Sequence, residues 1–206
     1  MRERVRAGDR DAFGWLFDRY AKAVYNHAYR LTGDRSAAEE VLSETFLVAW
    51  RTRERVGEGT GSLRPWLLGI ATNKARNHRR GVGRLLAHLA GQRGPEEVED
   101  FAEASAARMD DARELDAVRR AWGRLRHKER EVLALRVWSG LDYAQAAAAL
   151  GVPVGTVRSR LSRARTRLRD LTQEQLAEQR RELPGARGEV TGRAAFAARP
   201  IEKEAR

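Results

Sequence analysis

Residues 143–169 decide the fold of the second half of the chain, and they read YAQAAAALGVPVGTVRSRLSRARTRLR. Within this stretch Ala147, Gly151 and Val157 follow the spacing A-x3-G-x5-V. The small residue lets two helices cross closely, the glycine turns the chain, and the valine fills the apolar space between the helices. This spacing predicts a helix-turn-helix.

The second helix of this pair is strongly basic. Residues 155–169 hold six arginines and no acidic residue, while every third or fourth position from Val157 to Leu168 is apolar. A helix of this kind is suited to the major groove of DNA. Helical phase predicts base contacts for Arg158, Ser159 and Ser162. It predicts phosphate contacts for Thr156, Arg160, Arg163 and Arg165. The alternative is that the arginines form a solvated face beside acidic protein.

Helical periodicity also runs through the N-terminal part of the chain. Asp9 is placed to cap a helix that ends at Gly33, and a second helix begins at Ser36. After a loop at Gly57–Ser62, Pro65 stands in the first turn of a third helix. Strand-like alternation is not sustained anywhere in the sequence, so the predicted fold class is all-α.

The periodicity predicts two small helical domains joined by a flexible acidic linker. The predicted segments are a first domain at 1–84, a linker at 85–112, a second domain at 113–171 and a C-terminal extension at 172–206. Residues 96–116 hold nine acidic residues against two arginines, which favours a linker. The extension is expected to stay helical to about Leu183 and then to be disordered. Helical periodicity resumes in the second domain with Leu115, Val118, Trp122 and Leu125, and it continues to Val137.

Composition restricts the function. The 206 residues include 40 basic and 29 acidic ones, a formal net charge of +11, which favours a polyanionic partner such as nucleic acid. Cysteine is absent, and the four histidines are scattered, so no catalytic, metal or cofactor site is predicted. The N-terminus lacks the apolar core of a signal peptide, and no run of ~20 apolar residues occurs. A soluble cytoplasmic protein with no membrane partner is expected.

Three stretches together carry a family resemblance. They are AEEVLSETF at 38–46 with Trp50, RPWLLGIATN at 64–73 and VPVGTVRSRL at 152–161. Their order and spacing, from about residue 9 to residue 170, resemble the extracytoplasmic-function (ECF) sigma factors, a group of the sigma-70 family. Departures from that family occur too, since Arg126 replaces a common helix-starting proline and Ala144, Ala146 and Ala148 make the first helix of the helix-turn-helix thin.

The resemblance implies a division of labour between the domains. The first domain would bind the clamp of core RNA polymerase and open the minus-10 element, and the second would read the minus-35 element through the residues given above. Implied partners are core RNA polymerase, promoter DNA and an anti-sigma factor. The competing interpretation is a stand-alone helix-turn-helix regulator, which would dimerise and bind an operator tightly by itself.

Two further sets of residues are assigned by the resemblance and by their chemistry. An acidic face of the second helix would meet the polymerase clamp, and the predicted contacts are Glu39, Glu40, Ser43, Glu44 and Phe46. The third helix and the loop before it would hold a separated strand and a flipped base, and the predicted contacts are Gly59, Gly61, Ser62, Asn73, Lys74, Arg76, Asn77, Arg79 and Arg80. The alternatives are an ordinary solvated face for the acids and a flexible connector for the loop.

Overall fold

The first half of the chain is a helical domain. The computed structural model describes residues 1–57, 61–88 and 106–182, and all regular elements in these ranges are helical. The elements of the first domain are α1 (Arg2–Arg6), α2 (Arg10–Thr32), α3 (Arg35–Arg51), a short 3-10 turn (Arg53–Arg55) and α4 (Arg64–His88). Helices α2, α3 and α4 pack against one another around Leu16, Val41 and Leu67, which are fully buried.

The ends of α2 follow the capping signals of the sequence. The Asp9 carboxylate accepts hydrogen bonds of 3.0 Å from the backbone N–H groups of Asp11 and Ala12. Gly33 ends the helix with a φ of +75°, a left-handed conformation that glycine adopts without steric cost. Both predicted ends of this helix are confirmed.

The second half of the chain forms another helical domain. It consists of α5 (Ala106–Arg124), α6 (His127–Leu133), a π-helical segment (Ala134–Trp138), α7 (Tyr143–Leu150) and α8 (Val154–Glu182). Helix α8 packs along α5 and also contacts α6 and α7. Helix α7 begins at Tyr143, the first residue of the stretch predicted as a helix-turn-helix, and α8 ends at Glu182, close to the predicted helical end at about Leu183.

Helix extends into both ends of the segment predicted as a linker at 85–112. Helix α4 continues to His88, and α5 already begins at Ala106. The acidic residues at 106–114 stand among three alanines and two arginines, which propagate a helix well. The rest of the predicted linker and the predicted disordered tail lie at 89–105 and 183–206, outside the described residues.

The apolar positions that carry the periodicity of α5 are only partly buried. Leu115 is 52% exposed, and the buried residues are Ala117, Ala121 and Leu125, which follow one another at intervals of four. Val137 is 50% exposed as well. It lies in the π-helical segment, whose wider turn shifts the phase of the apolar positions relative to an α-helix.

The two domains pack directly on each other. Helix α4 of the first domain contacts α7 of the second, and α2 contacts α6 and the π-helical segment. The buried apolar residues of the two domains form one continuous cluster.

Among the described residues, no helix has both the length and the apolarity needed to cross a membrane.

Candidate nucleic-acid interface

The helix-turn-helix predicted from residues 143–169 is present. The Asp142 carboxylate accepts a hydrogen bond of 2.7 Å from the Gln145 N–H, and the Gln145 side chain accepts one of 3.1 Å from the Asp142 N–H. This reciprocal cap starts α7. Gly151 ends it with a φ of +64°, and Ala147 and Val157 are both buried between the helices. The turn therefore fixes where α8 begins.

The arginine-rich side of α8 faces away from the domain. The exposed predicted DNA contacts are Arg158, Ser159, Ser162, Arg163 and Arg165. Thr156 and Arg160 are half-buried. The opposite side of α8 is buried at Val157, Leu161 and Ala164. The helix thus presents guanidinium and hydroxyl groups on its outer face, the groups that bind phosphates and base edges.

Tyr143 supports Arg158 in a way that the sequence did not indicate. The Arg158 guanidinium carbon lies 5.4 Å from the centroid of the Tyr143 ring, and that of Arg136 lies 4.1 Å from it. Arg136 also donates a hydrogen bond to the Leu141 carbonyl. One aromatic ring therefore holds two cations at the N-terminal end of the helix-turn-helix.

Some polar residues of α4 are exposed to solvent, and others contact the acidic residues of α3. Asn73 and Asn77 are exposed, and the Asn73 side-chain oxygen accepts a hydrogen bond of 2.9 Å from Arg76. The Lys74 ammonium lies 3.3 Å from the Glu44 carboxylate, and the His78 ring nitrogen Nδ1 lies 3.1 Å from the Glu40 carboxylate. The basic residues of α4 and the acidic face of α3 are thus adjacent surfaces, joined by the Lys74–Glu44 ion pair and by the contact between His78 and Glu40.

The core of the first domain fixes the helical turn that bears Asn73. Thr72 donates a hydrogen bond of 2.7 Å to the Leu68 carbonyl, so the 2.8 Å contact with His27 is one in which His27 Nε2–H donates to Thr72 Oγ1. Complete burial, together with the positive charges of Arg30 and Arg64, lowers the pKa of His27 to about 3. A neutral imidazole in the core therefore anchors the residue before Asn73.

The acidic face of α3 is exposed at Glu39, Glu40 and Ser43, and Glu44 is half-buried. Phe46, which was also predicted to touch polymerase, is only 6% exposed and packs on Phe13 and Phe17. Phe17 and Leu47 are the apolar side chains that reach solvent nearby, Leu47 with 56% exposure. The sequence prediction missed Leu47, because helical phase separates it from Phe46 by about 100° although the two are adjacent.

An arginine near the N-terminus supports the loop before α4. Arg2 donates hydrogen bonds to the carbonyl oxygens of Gly57 at 2.7 Å, Gly61 at 2.9 Å and Ser62 at 3.2 Å. The Tyr20 hydroxyl lies 3.1 Å from the Ser62 hydroxyl. Gly59 lies outside the described residues. Sequence patterns did not single out Arg2, since its partners are more than fifty positions away.

A basic cleft of about 700 Å³ lies between α4 and the second domain. Its lining includes Glu129, Glu131 and His127, and its cationic residues are Arg76, Arg79, Arg80, Arg126, Lys128, Arg160 and Arg163. Burial, followed by the positive charge of Arg79, lowers the pKa of the neighbouring Arg130. Burial, followed by the positive charges of Arg130 and Arg79, lowers the pKa of His127 to about 4. The cleft is therefore a region of positive potential that residues of both domains create.

Helix α6 is capped at its N-terminus by Glu129, with Arg126 at the position where the family commonly has a helix-starting proline. The Glu129 carboxylate accepts a hydrogen bond of 2.9 Å from the Arg126 N–H and lies 3.8 Å from the Arg167 side chain of α8. A proline would leave no N–H to cap.

Comparisons with known proteins agree on both domains. The family model of sigma-70 region 2 matches residues 16–85, and that of sigma-70 region 4 matches residues 115–168. The chain is 35% identical over 160 residues to the ECF RNA polymerase sigma factor SigL of Mycobacterium tuberculosis, with 77% of this chain and 88% of SigL covered. It is 36% identical over 162 residues to the ECF sigma factor BldN of Streptomyces coelicolor, with 76% of this chain covered but only 59% of BldN.

Solved structures show the same likeness. The sigma factor RpoE in complex with the anti-sigma factor NepR, from Bartonella quintana, superposes with a TM-score of 0.62 at 27% identity, covering 79% of this chain and 97% of RpoE. CnrH in complex with the cytosolic domain of CnrY gives a TM-score of 0.59 at 26% identity, covering 84% of this chain and 95% of CnrH.

Proposed function

The chain belongs to the ECF sigma factors of the sigma-70 family, and from this membership we propose that it binds core RNA polymerase and directs initiation at promoters with a minus-35 and a minus-10 element. The observation that carries the proposal is the outer face of α8. It exposes Arg158, Arg163 and Arg165 in a segment, residues 155–169, that contains no acidic residue, on a helix whose start is fixed by a capped helix-turn-helix. Exposed guanidinium and hydroxyl groups on such a helix fit duplex DNA.

The second domain, proposed as residues 113–171, reads the minus-35 element. Arg158 and Ser159 stand in the first turns of α8, where side chains reach base edges in a major groove. The Tyr143 ring restrains the Arg158 guanidinium before DNA arrives, which lowers the entropy lost on binding. Thr156, Arg160, Ser162, Arg163 and Arg165 complete the proposed contact surface.

The first domain, proposed as residues 1–84, opens the minus-10 element. Asn73 is exposed beside Arg76, and the backbone before α4 is held by Arg2. A polar amide next to guanidinium groups suits a single strand whose phosphates are neutralised while a base is turned out. The remaining proposed strand contacts are Gly59, Gly61, Ser62, Lys74, Asn77, Arg79 and Arg80.

The acidic face of α3 is the proposed contact with the polymerase clamp. Glu39, Glu40 and Ser43 are exposed on a chain with a net charge of +11, so the face would attract a basic surface. Leu47 and Phe17 add exposed apolar area beside it. Glu44 contributes from the edge, and Phe46 supports the face from below.

An anti-sigma factor is a proposed regulator of this chain. The similar RpoE structure contains the anti-sigma factor NepR, and the similar CnrH structure contains the cytosolic domain of CnrY.

Binding measurements test this function against that of a stand-alone regulator. Labelled chain is titrated with bacterial core RNA polymerase, and its affinity for promoter fragments is measured with and without core. A sigma factor binds core tightly, binds duplex weakly alone and gains promoter affinity in the complex. Tight duplex binding by a dimer of the free chain, with no association with core, would contradict the proposal.

A further inference from the structure

We propose that the strand-binding face of α4 is also the docking surface for the second domain of the same chain, so that the free protein is closed and melted DNA competes with its own helix-turn-helix. The surface consists of Gly69, Asn73 and Arg76, with Arg30 of α2 at its edge. The inference rests on the proposed function, which assigns Asn73 and Arg76 to the melted strand.

The tightest part of the docking surface is a helix crossing. A Cβ atom built on Gly69 of α4 would stand 3.0 Å from the Ala149 carbonyl oxygen and 3.1 Å from its Cα. These distances leave no room for a side chain at Gly69. Ala148 and Ala149 keep the facing side of α7 thin, and this allows the two backbones to approach.

The same crossing covers the proposed base pocket. A cavity of about 620 Å³ is lined on one side by Ser62, Trp66 and Asn73 and on the other by Gln145 and Ala148 of α7. A nucleotide base that entered between Ser62 and Asn73 would therefore meet α7 on the opposite wall. A captured base and the closely packed α7 would therefore occupy the same space, so the two exclude each other.

An ion pair closes the second part of the surface. Arg76 Nε and Nη2 each donate a hydrogen bond of 2.6 Å to one oxygen of the Glu131 carboxylate, fifty-five residues along the chain. Two parallel hydrogen bonds are also the way in which arginine binds a phosphate group. Because Arg76 has one guanidinium, engaging a strand phosphate in this manner requires it to release the buried Glu131.

The third part of the surface lies on α2. The Trp122 indole N–H donates a hydrogen bond of 2.9 Å to the Arg30 carbonyl, and the Arg30 guanidinium lies 5.8 Å from the Trp138 ring centroid. Trp122 and Trp138 themselves pack edge to face with centroids 4.8 Å apart. The second domain is thus held at three separate places by contacts of different chemistry.

These contacts favour a closed form that can open. The interface combines small side chains, a partly exposed ion pair and a hydrogen bond to a backbone carbonyl, and such interfaces between domains permit relative motion. A ligand that binds only the open form has its apparent affinity reduced by the open fraction. If one free molecule in ten is open, single-stranded DNA binds about tenfold more weakly than to a chain held open.

Distances between spin labels test the closed form directly. The chain has no cysteine, so Asp18→Cys on α2 and Gln173→Cys on α8, both exposed positions, provide the only two label sites. The free chain is expected to show one narrow distance distribution. Gly69→Leu should shift it to longer and broader distances, whereas Gly14→Leu, a helical glycine with nothing within 4 Å of its added Cβ, should not. A broad distribution that Gly69→Leu leaves unchanged would overturn the inference.

Competition with DNA is tested through Glu131, which is not a proposed DNA contact. Glu131→Gln removes the charge that holds Arg76, and Glu174→Gln is the control, since Glu174 is an exposed carboxylate paired with Arg124 at 3.0 Å in the same domain. Glu131→Gln is expected to lengthen the label distance and to strengthen binding of a single-stranded oligonucleotide by about threefold or more. Equal affinities for the two variants would mean that only net charge matters and would overturn the competition.

The two proposals fail in different ways. The label distances require no polymerase, so a chain that opens as described but does not bind core contradicts the proposed function alone. A chain that binds core normally, yet shows the same distances with and without the Gly69→Leu substitution, contradicts the closed form alone.

Discussion

Protonation of His27 is expected to destabilise the first domain in mildly acidic solution. The ring is completely buried between α2 and α4, donates its one N–H to Thr72, and has a pKa of about 3 against 6.5 for an unfolded chain. Between these two values the unfolded chain binds a proton that the folded chain does not. Stability is therefore fully present above pH 6.5 and falls as the pH decreases.

The size of the effect follows from the linkage relation. Each pH unit well below 6.5 costs about 1.4 kcal/mol for one proton, so lowering the pH from 7.5 to 5 removes about 2 kcal/mol of the free energy of unfolding. Because the pKa of His127 is also lowered, to about 4, the wild-type curve alone does not isolate His27. His27→Gln keeps a donor for Thr72 and removes the titrating ring.

The assay is urea unfolding at a series of pH values, followed by circular dichroism and by tryptophan fluorescence. The stability advantage of the wild type over His27→Gln should shrink by about 2 kcal/mol between pH 7.5 and pH 5. Parallel stability curves for the two chains would refute the reasoning, since they would mean that His27 ionises equally in the folded and unfolded states.

Three other substitutions test separate parts of the account. Arg158→Ala should cost ~1–3 kcal/mol of binding to a cognate minus-35 duplex in the polymerase complex; an equal loss on scrambled duplex would reduce Arg158 to a phosphate contact. Asn73→Ala should slow promoter opening, measured by permanganate reactivity, and leave core binding intact, so normal opening would remove Asn73 from the site. Asp142→Ala should lower the stability of the second domain by about 0.5–2 kcal/mol through loss of the cap, and an unchanged urea midpoint would show that the cap contributes nothing.

Local signals predicted the fold well. Asp9 and Gly33 bound α2 because a side-chain acceptor and a left-handed glycine act within one turn of the helix. Ala147, Gly151 and Val157 likewise determine the helix-turn-helix through contacts over ten residues. Composition predicted the ends of the helices less well, since the acidic residues at 106–112 belong to α5 although their composition is typical of a linker.

Contacts between distant residues were not predictable in the same way. Arg76 and Glu131 pair across fifty-five positions, and Arg2 reaches Gly61 across fifty-nine. Neither pair leaves a periodic or spaced pattern in one sequence, because each partner alone looks like an ordinary charged surface residue. The docking of the two domains therefore emerged only from the structure.

Reconstituted transcription tests the central claim most directly. The purified chain and bacterial core RNA polymerase are incubated with a library of genomic fragments from the source organism, and transcript starts that require the added chain are mapped. The account predicts a set of specific starts that share two upstream elements and are weakened by Arg158→Ala or Asn73→Ala. Starts that are the same with and without the chain would contradict it.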